Sequence, residues 1–230
     1  MDEAFRVTSL GDGIWAIDEE MVRCFLIVGE QKVVLLDCCF TPGTALSEVV
    51  HKLTDKPIQL IFTHADRDHI GGQDGFGTPW LHPAEYDRYR NKNNVDKKIT
   101  ALWESTVLEL GGRSLEVLLI PGHTPGSIAL LDRNGRRLFI GDSVSDSWIH
   151  MFEPGRNLEA LIESLKKLES ISSCFDTIHA CHGTASLDIE WLTNTRIAAE
   201  KLHAGELEGS QAPYEMPCKV FRHEGVTFLY

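Results

Sequence analysis

The sequence predicts a layered α/β fold, and three observations lead to that prediction. Strand-like and helix-like segments alternate along the 230 residues in two comparable halves. Several strand-like runs are apolar on both faces, which is typical of sheets covered by helices. A hydrophobic content of 43% beside 24% charged residues lets the chain bury a substantial core. We expect one domain over residues 1–230, because no linker, repeat or low-complexity tract interrupts the chain.

The first forty residues have the pattern of an antiparallel meander. Four strand-like runs are separated by turn signals at residues 11–13 and 29–30. The runs cover residues 5–10, 14–18, 24–28 and 33–37. A helix is predicted over 44–54, because its apolar residues recur at helical spacing. The buried strand IQLIFT then leads directly into His64.

The rest of the chain repeats this alternation of strands and helices. The predicted elements are a strand at 79–82, a helix at 84–90, an exposed polar loop at 91–98, strands in SLEVLLIP, SIALLDR and RRLFIGD, an amphipathic helix at 158–171, a strand in FDTIHA, a helix at 187–206 and a hairpin at 218–230. Periodicity alone leaves the order of the strands in the sheets open.

The charge balance bears on the class of partner. The 22 basic and 34 acidic residues give a net charge of −12, which argues against a nonspecific nucleic-acid binder and against binding to an anionic membrane. The N-terminus lacks the pattern of a signal peptide, and no apolar run is long enough for a membrane span. We therefore expect a cytoplasmic protein with a small-molecule substrate. Its oligomeric state is not readable from the sequence.

The six cysteines lack the spacing of a disulfide framework, so reduced thiols are expected. The neighbouring Cys38 and Cys39 could form a strained redox disulfide, but packing as small apolar residues beside a strand end is the better explanation. Cys181 could lie near a bound metal or could simply be packed.

The segment 63–72, THADRDHIGG, carries the most informative pattern. Four potential metal ligands, His64, Asp66, Asp68 and His69, fall within six residues directly after a buried strand. Imidazoles and carboxylates bind divalent metals, and two aspartates so close together would repel each other without a cation. The alternative is a polar loop in which these residues cluster by accident.

Three further strand ends offer candidate ligands. His123 follows one apolar strand and Asp142 follows another, while His179 and His182 lie at the end of a third. A lone histidine at a strand end is more often structural. Four such loops, which together offer seven ligands, make coincidence a poor explanation.

In this order, the motifs resemble those of the metallo-β-lactamase fold superfamily, whose hallmark is His-x-His-x-Asp-His followed by a separate His, a bridging Asp and a final His. The resemblance runs from Asp37 to His182. It implies a four-layer αββα sandwich with two mixed sheets flanked by helices, and a dinuclear metal site. Carried over by position, the first metal set is His64, Asp66 and His123, the second is Asp68, His69 and His182, and Asp142 is the bridge. His182 is preferred to His179, because the pair His182-Gly183 matches the terminal motif of the family.

One position departs from the family pattern, since Asp66 stands where the second histidine is expected. Two divalent ions (+4), three aspartates (−3) and a bridging hydroxide bring the cluster to about zero, whereas the usual histidine would leave +1. Zinc is the metal that the resemblance implies, and Mn or Fe also fit because oxygen ligands favour harder ions. Related members that use flavin and iron carry a glutamate here, which keeps an oxidoreductase alternative open.

The resemblance implies a hydrolase in which a metal-bridging hydroxide attacks a small ester, thioester or lactone, or a small phosphodiester. Asp68 is the candidate catalytic residue, as a ligand that also orients the nucleophile or accepts its proton. The alternatives are an iron-dependent oxidoreductase that acts on oxygen, nitric oxide or a persulfide, and a degenerate fold used only for binding. Asp37 and Thr124 either orient ligating histidines or cap local turns. The apolar loop after Asp142 either walls a substrate pocket or packs on the core.

Overall fold

A computed structural model describes residues 4–93 and 98–230 of the chain. Two compact units can be distinguished by their internal contacts, Met1–Val117 and Leu118–Tyr230. The expectation of a single domain over residues 1–230 stays a prediction. Within the described residues, none of the helices combines the length and the apolarity that a membrane span requires.

The first unit contains a seven-stranded mixed sheet. Its strands, side by side in chain order, are β1 (Arg6–Gly11), β2 (Ile14–Glu19), β3 (Val22–Val28), β4 (Val33–Leu36), β5 (Ile58–Ile61), β6 (Trp80–Leu81) and β7 (Thr100–Ala101). The strands β1 to β4 pair antiparallel, which confirms the predicted meander. The strands β4 to β7 pair in parallel. The C-terminal ends of β4 and β5 therefore lie at the same edge, where sites on parallel strands are usually built.

In the described part of this unit there are three helices, α1 (Ala45–Leu53), α2 (Arg67–Ile70) and α3 (Tyr86–Asn93), the last preceded by a 3₁₀ turn at Pro83–Glu85. The helix α1 confirms the prediction and buries Leu46 and Val50. The helix α3 continues to Asn93, beyond the predicted end at residue 90. It takes up the start of the loop expected at 91–98, of which residues 94–97 lie outside the described part.

The remaining strands are β8 (Val107–Glu109), β9 (Ser114–Leu119), β10 (Ile128–Asp132), β11 (Arg137–Gly141), β12 (Trp148–His150), β13 (Thr177–Ala180), β14 (Leu187–Asp188), β15 (Ser210–Gln211), β16 (Lys219–His223) and β17 (Val226–Leu229). A second sheet has the order β14-β13-β11-β10-β9-β8, with β11 and β13 parallel. A third sheet, additional to the two expected, has the order β12-β17-β16-β15. It contains the predicted terminal hairpin, β16 and β17.

Two helices belong to the second unit, α4 (Leu158–Ser170) and α5 (Glu190–His203). The helix α4 confirms the prediction, and its apolar face is buried. The helix α5 begins later than predicted, because Leu187 and Asp188 extend to form β14 and pair with β13. Burial of Leu187 against the core favours this strand over a further helical turn.

Each unit has its own hydrophobic core. In the first unit, buried residues of β2 to β5 pack with α1 and with Tyr89 of α3. In the second unit, the apolar faces of α4 and α5 pack with residues of β10, β11 and β13. Each fully buried leucine or isoleucine contributes about 1.5–3 kcal/mol. These cores fix the strand ends from which the candidate ligands project.

Gly122 sets the path of the chain just before His123. Its φ is +148°, and a Cβ placed on it would lie 2.4 Å from the Cα of Leu161 in α4. The Gly122 carbonyl also accepts a hydrogen bond from the backbone N–H of Asn157 at 2.8 Å. A side chain at this position would therefore push the loop away from the first turn of α4.

We expect Gly122→Ala to lower the free energy of unfolding by about 1–3 kcal/mol, because the added methyl group meets backbone that cannot yield. Gly77→Ala is the matched control, since a Cβ there meets nothing within 4 Å and the change should stay within about 0.5 kcal/mol. Urea denaturation of the two variants measures the difference. Equal stabilities would contradict this account of the loop.

Candidate metal centre

The first four candidate ligands lie on the segment that follows β5. His64 comes three residues after the strand, and Asp66 occupies the N-terminal cap position of α2. The backbone N–H of His69 donates to the Asp66 carbonyl at 3.0 Å and so closes the turn. His64, Asp66 and His69 are buried, whereas the side chain of Asp68 is 41% exposed.

This segment packs closely on the chain that follows β4. The N–H of Gly71 donates to the Cys39 carbonyl at 2.9 Å, and the N–H of Cys38 donates to the His69 carbonyl at 2.8 Å. A Cβ on Gly71 would lie 2.0 Å from the Phe40 carbonyl oxygen. The Gly71-Gly72 pair therefore allows the backbone approach that holds the ligands in place.

Asp37 holds this segment through hydrogen bonds to its side chain. Its side chain is fully buried and accepts hydrogen bonds from the Thr63 N–H at 2.7 Å, the Thr63 hydroxyl at 2.7 Å and the His69 Nδ1 at 2.9 Å. Its backbone has a φ of +63° at the end of β4, which turns the chain sharply. Of the two expectations for Asp37, orientation of a histidine is the one that its contacts match.

These bonds define which nitrogen of each histidine can bind a metal. His69 donates its Nδ1 proton to Asp37, so its Nε2 carries the lone pair. The Thr63 hydroxyl gives its proton to Asp37, so at 2.9 Å it must accept from His64 Nδ1. Both histidines therefore present a basic Nε2, the state in which imidazole ligates metal.

Each of the two candidate histidine ligands of this unit, His64 and His69, has a carboxylate oxygen beside its Nε2. The distance from His64 Nε2 to Asp66 Oδ2 is 3.6 Å, and that from His69 Nε2 to Asp68 Oδ2 is also 3.6 Å. The two imidazole rings lie 4.1 Å apart between centroids. The four residues thus form two adjacent histidine–aspartate pairs.

The second unit brings its three candidates together. His123 follows β9, Asp142 follows β11 and His182 follows β13. A single oxygen, Asp142 Oδ2, lies 3.5 Å from His123 Nε2 and 3.2 Å from His182 Nε2. His123 Nδ1 donates to the His150 carbonyl of β12 at 3.1 Å, which leaves its Nε2 basic.

Hydrogen bonds from side chains to the backbone fix the loop that carries His182. Ser145 Oγ donates to the His182 carbonyl at 3.0 Å, and the Asp146 carboxylate accepts from the Thr184 N–H at 2.7 Å. A Cβ on Gly183 would lie 2.0 Å from Asp146 Oδ1. Ser145 and Asp146 were not predicted from the sequence, and the polar run that follows Asp142 is the one signal that could have indicated them.

A buried arginine supports His123. The side chain of Arg156 is 3% exposed, and its Nη1 donates to the His123 carbonyl. Thr124 does not orient a histidine ring through any described contact, because its hydroxyl and its N–H both bond to Ser127 within the same turn. Its role is therefore the alternative one of capping a turn.

His179, the alternative to His182, has contacts of its own within the second unit. Its Nδ1 lies 3.0 Å from the Ala185 carbonyl, and its Nε2 lies 3.3 Å from Arg137 Nη1. The ring stacks on Phe139 with the centroids 4.8 Å apart. Both ring nitrogens are thus engaged within the second sheet and its neighbouring loop.

The thiols of the first unit behave as packed apolar groups. Cys38 and Cys39 are buried free thiols that contact the His69 and Ile17 carbonyls at 3.3 and 3.6 Å. Burial raises the pKa of the Cys38 thiol well above its usual value. This matches the packing explanation rather than a redox disulfide. In the second unit, Cys181 is likewise buried.

The apolar loop after Asp142 packs within the second unit. Met151 joins the main core, whereas Trp148 and Phe152 lie against a small cluster on the third sheet. His150 contributes the carbonyl that orients His123. Packing accounts for much of this loop, although Trp148 and Phe152 keep part of their surface accessible.

The donor atoms fit a divalent ion by type and by spacing. Two ligands at usual zinc distances around one tetrahedral ion lie about 3.3–3.6 Å apart. The four histidine–aspartate distances within the units fall between 3.2 and 3.6 Å. Imidazole nitrogen with carboxylate oxygen is also a donor set that zinc, manganese and iron accept.

Comparisons with known proteins identify the family. The family model of the metallo-beta-lactamase superfamily matches residues 17–172. The acyl-coenzyme A thioesterase MBLAC2 of Gallus gallus is 26% identical over 212 residues, which covers 72% of this chain and 75% of that protein. The hydroxyacylglutathione hydrolase GloC of Haemophilus influenzae is 25% identical over 167 residues, which covers 63% of this chain and 77% of that protein.

Solved structures agree with this result at the level of the fold. The DIM-1 metallo-beta-lactamase superposes with a TM-score of 0.72 at 17% identity, covering 86% of this chain and 98% of that one. A metallo-beta-lactamase from Pontibacter korlensis gives 0.70 at 17% identity, covering 85% and 99%. The expected fold class is confirmed. Because the family model spans well over half of it, the chain belongs to the metallo-β-lactamase superfamily and is a metal-dependent hydrolase.

Proposed function

We propose that the chain is a dinuclear hydrolase of small thioesters. The first ion would be held by His64, Asp66 and His123, and the second by Asp68, His69 and His182, with Asp142 as the bridging ligand. Zinc is the first candidate metal, with manganese or iron as the harder alternatives that an additional aspartate favours.

The geometry of Asp142 carries the proposal. One of its oxygens lies within 3.5 Å of the Nε2 atoms of both His123 and His182, which are assigned to different ions. A carboxylate that serves one ion only does not need to face ligands of both. The position of Asp142 Oδ2 therefore supports a bridging role.

Two residues, Asp68 and Asp37, have proposed roles in the reaction besides metal binding. The ions, when bound, polarise the substrate carbonyl and make water nucleophilic at neutral pH. Asp68 is the most exposed of the seven proposed ligands, at 41% of its side chain, and lies beside His69. It is therefore the candidate to orient the attacking water, to accept its proton as the carbon–oxygen bond forms, and to return a proton to the thiolate that leaves as the carbon–sulfur bond breaks. Asp37 keeps His64 and His69 in the ligating tautomer.

The names of the two relatives support thioesters as the substrate class, since both denote hydrolysis of a thioester. The net charge of −12 gives no support for a nucleic-acid substrate. A panel of substrates should therefore vary the thiol carrier and the acyl group, and include an ester and a phosphodiester for comparison.

We expect protein purified without added metal to contain two equivalents of divalent ion per chain, measured by mass spectrometry of the elements. Chelation should abolish thioester hydrolysis, and added Zn²⁺ or Mn²⁺ should restore it. Asp142→Ala should lose metal and activity together, because the proposed bridge is removed. Asp176→Ala is the matched control, because this exposed aspartate of the second unit pairs with Arg136 and not with a proposed ligand.

Other outcomes of the same experiment are equally informative. A single equivalent of metal, or hydrolysis that survives chelation, would contradict the dinuclear proposal. Redox-active iron together with oxygen consumption would favour the oxidoreductase alternative. An acyl derivative of N-acetylcysteamine, which carries no charge on the thiol, separates recognition of the thioester from recognition of the carrier.

A second prediction concerns Asp37. Asp37→Asn should lower metal affinity by about 10–100-fold, because an amide cannot accept all three hydrogen bonds and faces the His69 proton with a donor. Asp132→Asn is the matched control, since this buried aspartate caps the turn at Gly135 and the amide oxygen can still accept that bond. Competition with a chelator measures affinity, and circular dichroism confirms folding. Equal affinities in the two folded variants would show that Asp37 does not control the ligands.

A further inference from the structure

The segment that begins at Pro83 holds the ligand loop of the first unit through several side chains. The buried Glu85 accepts a hydrogen bond from the Ala65 N–H at 3.0 Å. Three residues later, on the same side of the helix, Arg88 donates from Nε to Asp66 Oδ1 at 2.5 Å. Tyr89 donates to Gln73 Oε1 at 2.5 Å. A helix with no role in the family motif therefore contacts the loop next to its unusual aspartate.

The contact between Arg88 and Asp66 is largely buried. The side chains are 14% and 10% exposed, so the pair is weakly screened by solvent. The two oxygens of Asp66 face different partners, because Oδ1 receives the Arg88 proton while Oδ2 lies 3.6 Å from His64 Nε2. Arg88 thus engages one oxygen and leaves the other beside a proposed ligand.

We propose that Arg88 is the charge-balancing partner that lets Asp66 stand in for a histidine. The inference rests on the proposed dinuclear site. Two divalent ions, the three aspartate ligands and a bridging hydroxide sum to about zero charge. The guanidinium of Arg88 adds one positive charge to this sum. The sum returns to the +1 of a histidine-bearing set. Arg88 acts through Asp66 and does not touch substrate.

The proposal predicts an order of metal affinities, because each variant changes the charge beside the ions by one step. Asp66→His should bind metal about tenfold more weakly than wild type, since the Asp66 carboxylate no longer offsets the positive charge of Arg88 near the ions. Arg88→Met should bind about tenfold more tightly, since the guanidinium no longer offsets the negative charge of Asp66 near the ions. The double variant Asp66→His with Arg88→Met should return to the wild-type affinity.

Two further variants separate charge from structure. Arg88→Lys keeps the positive charge but not the guanidinium fork, so it should behave like wild type if charge is what matters. Arg90→Met removes a charge from the exposed side of the same helix, where Arg90 lies over the Tyr86 ring, and should leave affinity unchanged. Zn²⁺ and Mn²⁺ affinities are measured by chelator competition on each folded protein. Thermal unfolding of the metal-free proteins checks the fold.

The outcomes separate this inference from the proposed function. Two bound ions in wild type together with the predicted order supports both. Two bound ions with Asp66→His and the double variant equally weak overturns the role of Arg88 alone. Unchanged or weaker metal binding in folded Arg88→Met also overturns it, because the charge-balancing role requires tighter binding in that variant. Fewer than two ions in wild type overturns the dinuclear site and this inference together.

Discussion

The buried carboxylate of Asp37 is the constraint on which the candidate metal ligands of the first unit depend. A fully buried carboxylate is costly unless it is hydrogen-bonded, and Asp37 meets that condition with three donors from Thr63 and His69. These bonds join the chain after β4, the chain after β5 and the helix α2. They also fix the protons on both histidines, so the same interaction that satisfies a buried charge prepares two candidate metal ligands.

In the second unit, one backbone carbonyl and two side chains hold the candidate histidines. The His150 carbonyl fixes the ring of His123, and Ser145 and Asp146 hold the loop of His182. Histidines held in this way need little rearrangement to bind metal, which lowers the entropic cost of binding. The third sheet contributes to the orientation of His123, because β12 supplies the His150 carbonyl. The strand β12, which lies outside the two expected sheets, therefore supports the candidate ligand His123.

The sequence predicts features that depend on local pattern or on a motif. The meander, α4 and the strand ends before His64, His123 and Asp142 follow from periodicity and turn residues, and the family was identified from the order of its ligands. Contacts between distant positions were not predictable in this way. Arg88 lies 22 residues from Asp66, and Arg156 lies 33 residues from His123. No spacing rule links such pairs, since the fold alone brings them together. The late start of α5 has the same cause, because pairing with β13 overrides helical propensity.

The charge around Asp66 is set by Arg88 as well as by the proposed metal ligands. Counted by ligands, the proposed cluster is about neutral, which disfavours anionic substrates and a strongly activated water. A guanidinium at 2.5 Å from Asp66, in a site with little solvent, belongs to the same electrostatic unit as the carboxylate. Once Arg88 is included, the replacement of histidine by aspartate leaves the total unchanged. The cluster charge then no longer argues against an anionic substrate, and the effect of Asp66 is confined to the type of donor atom, which favours harder metals.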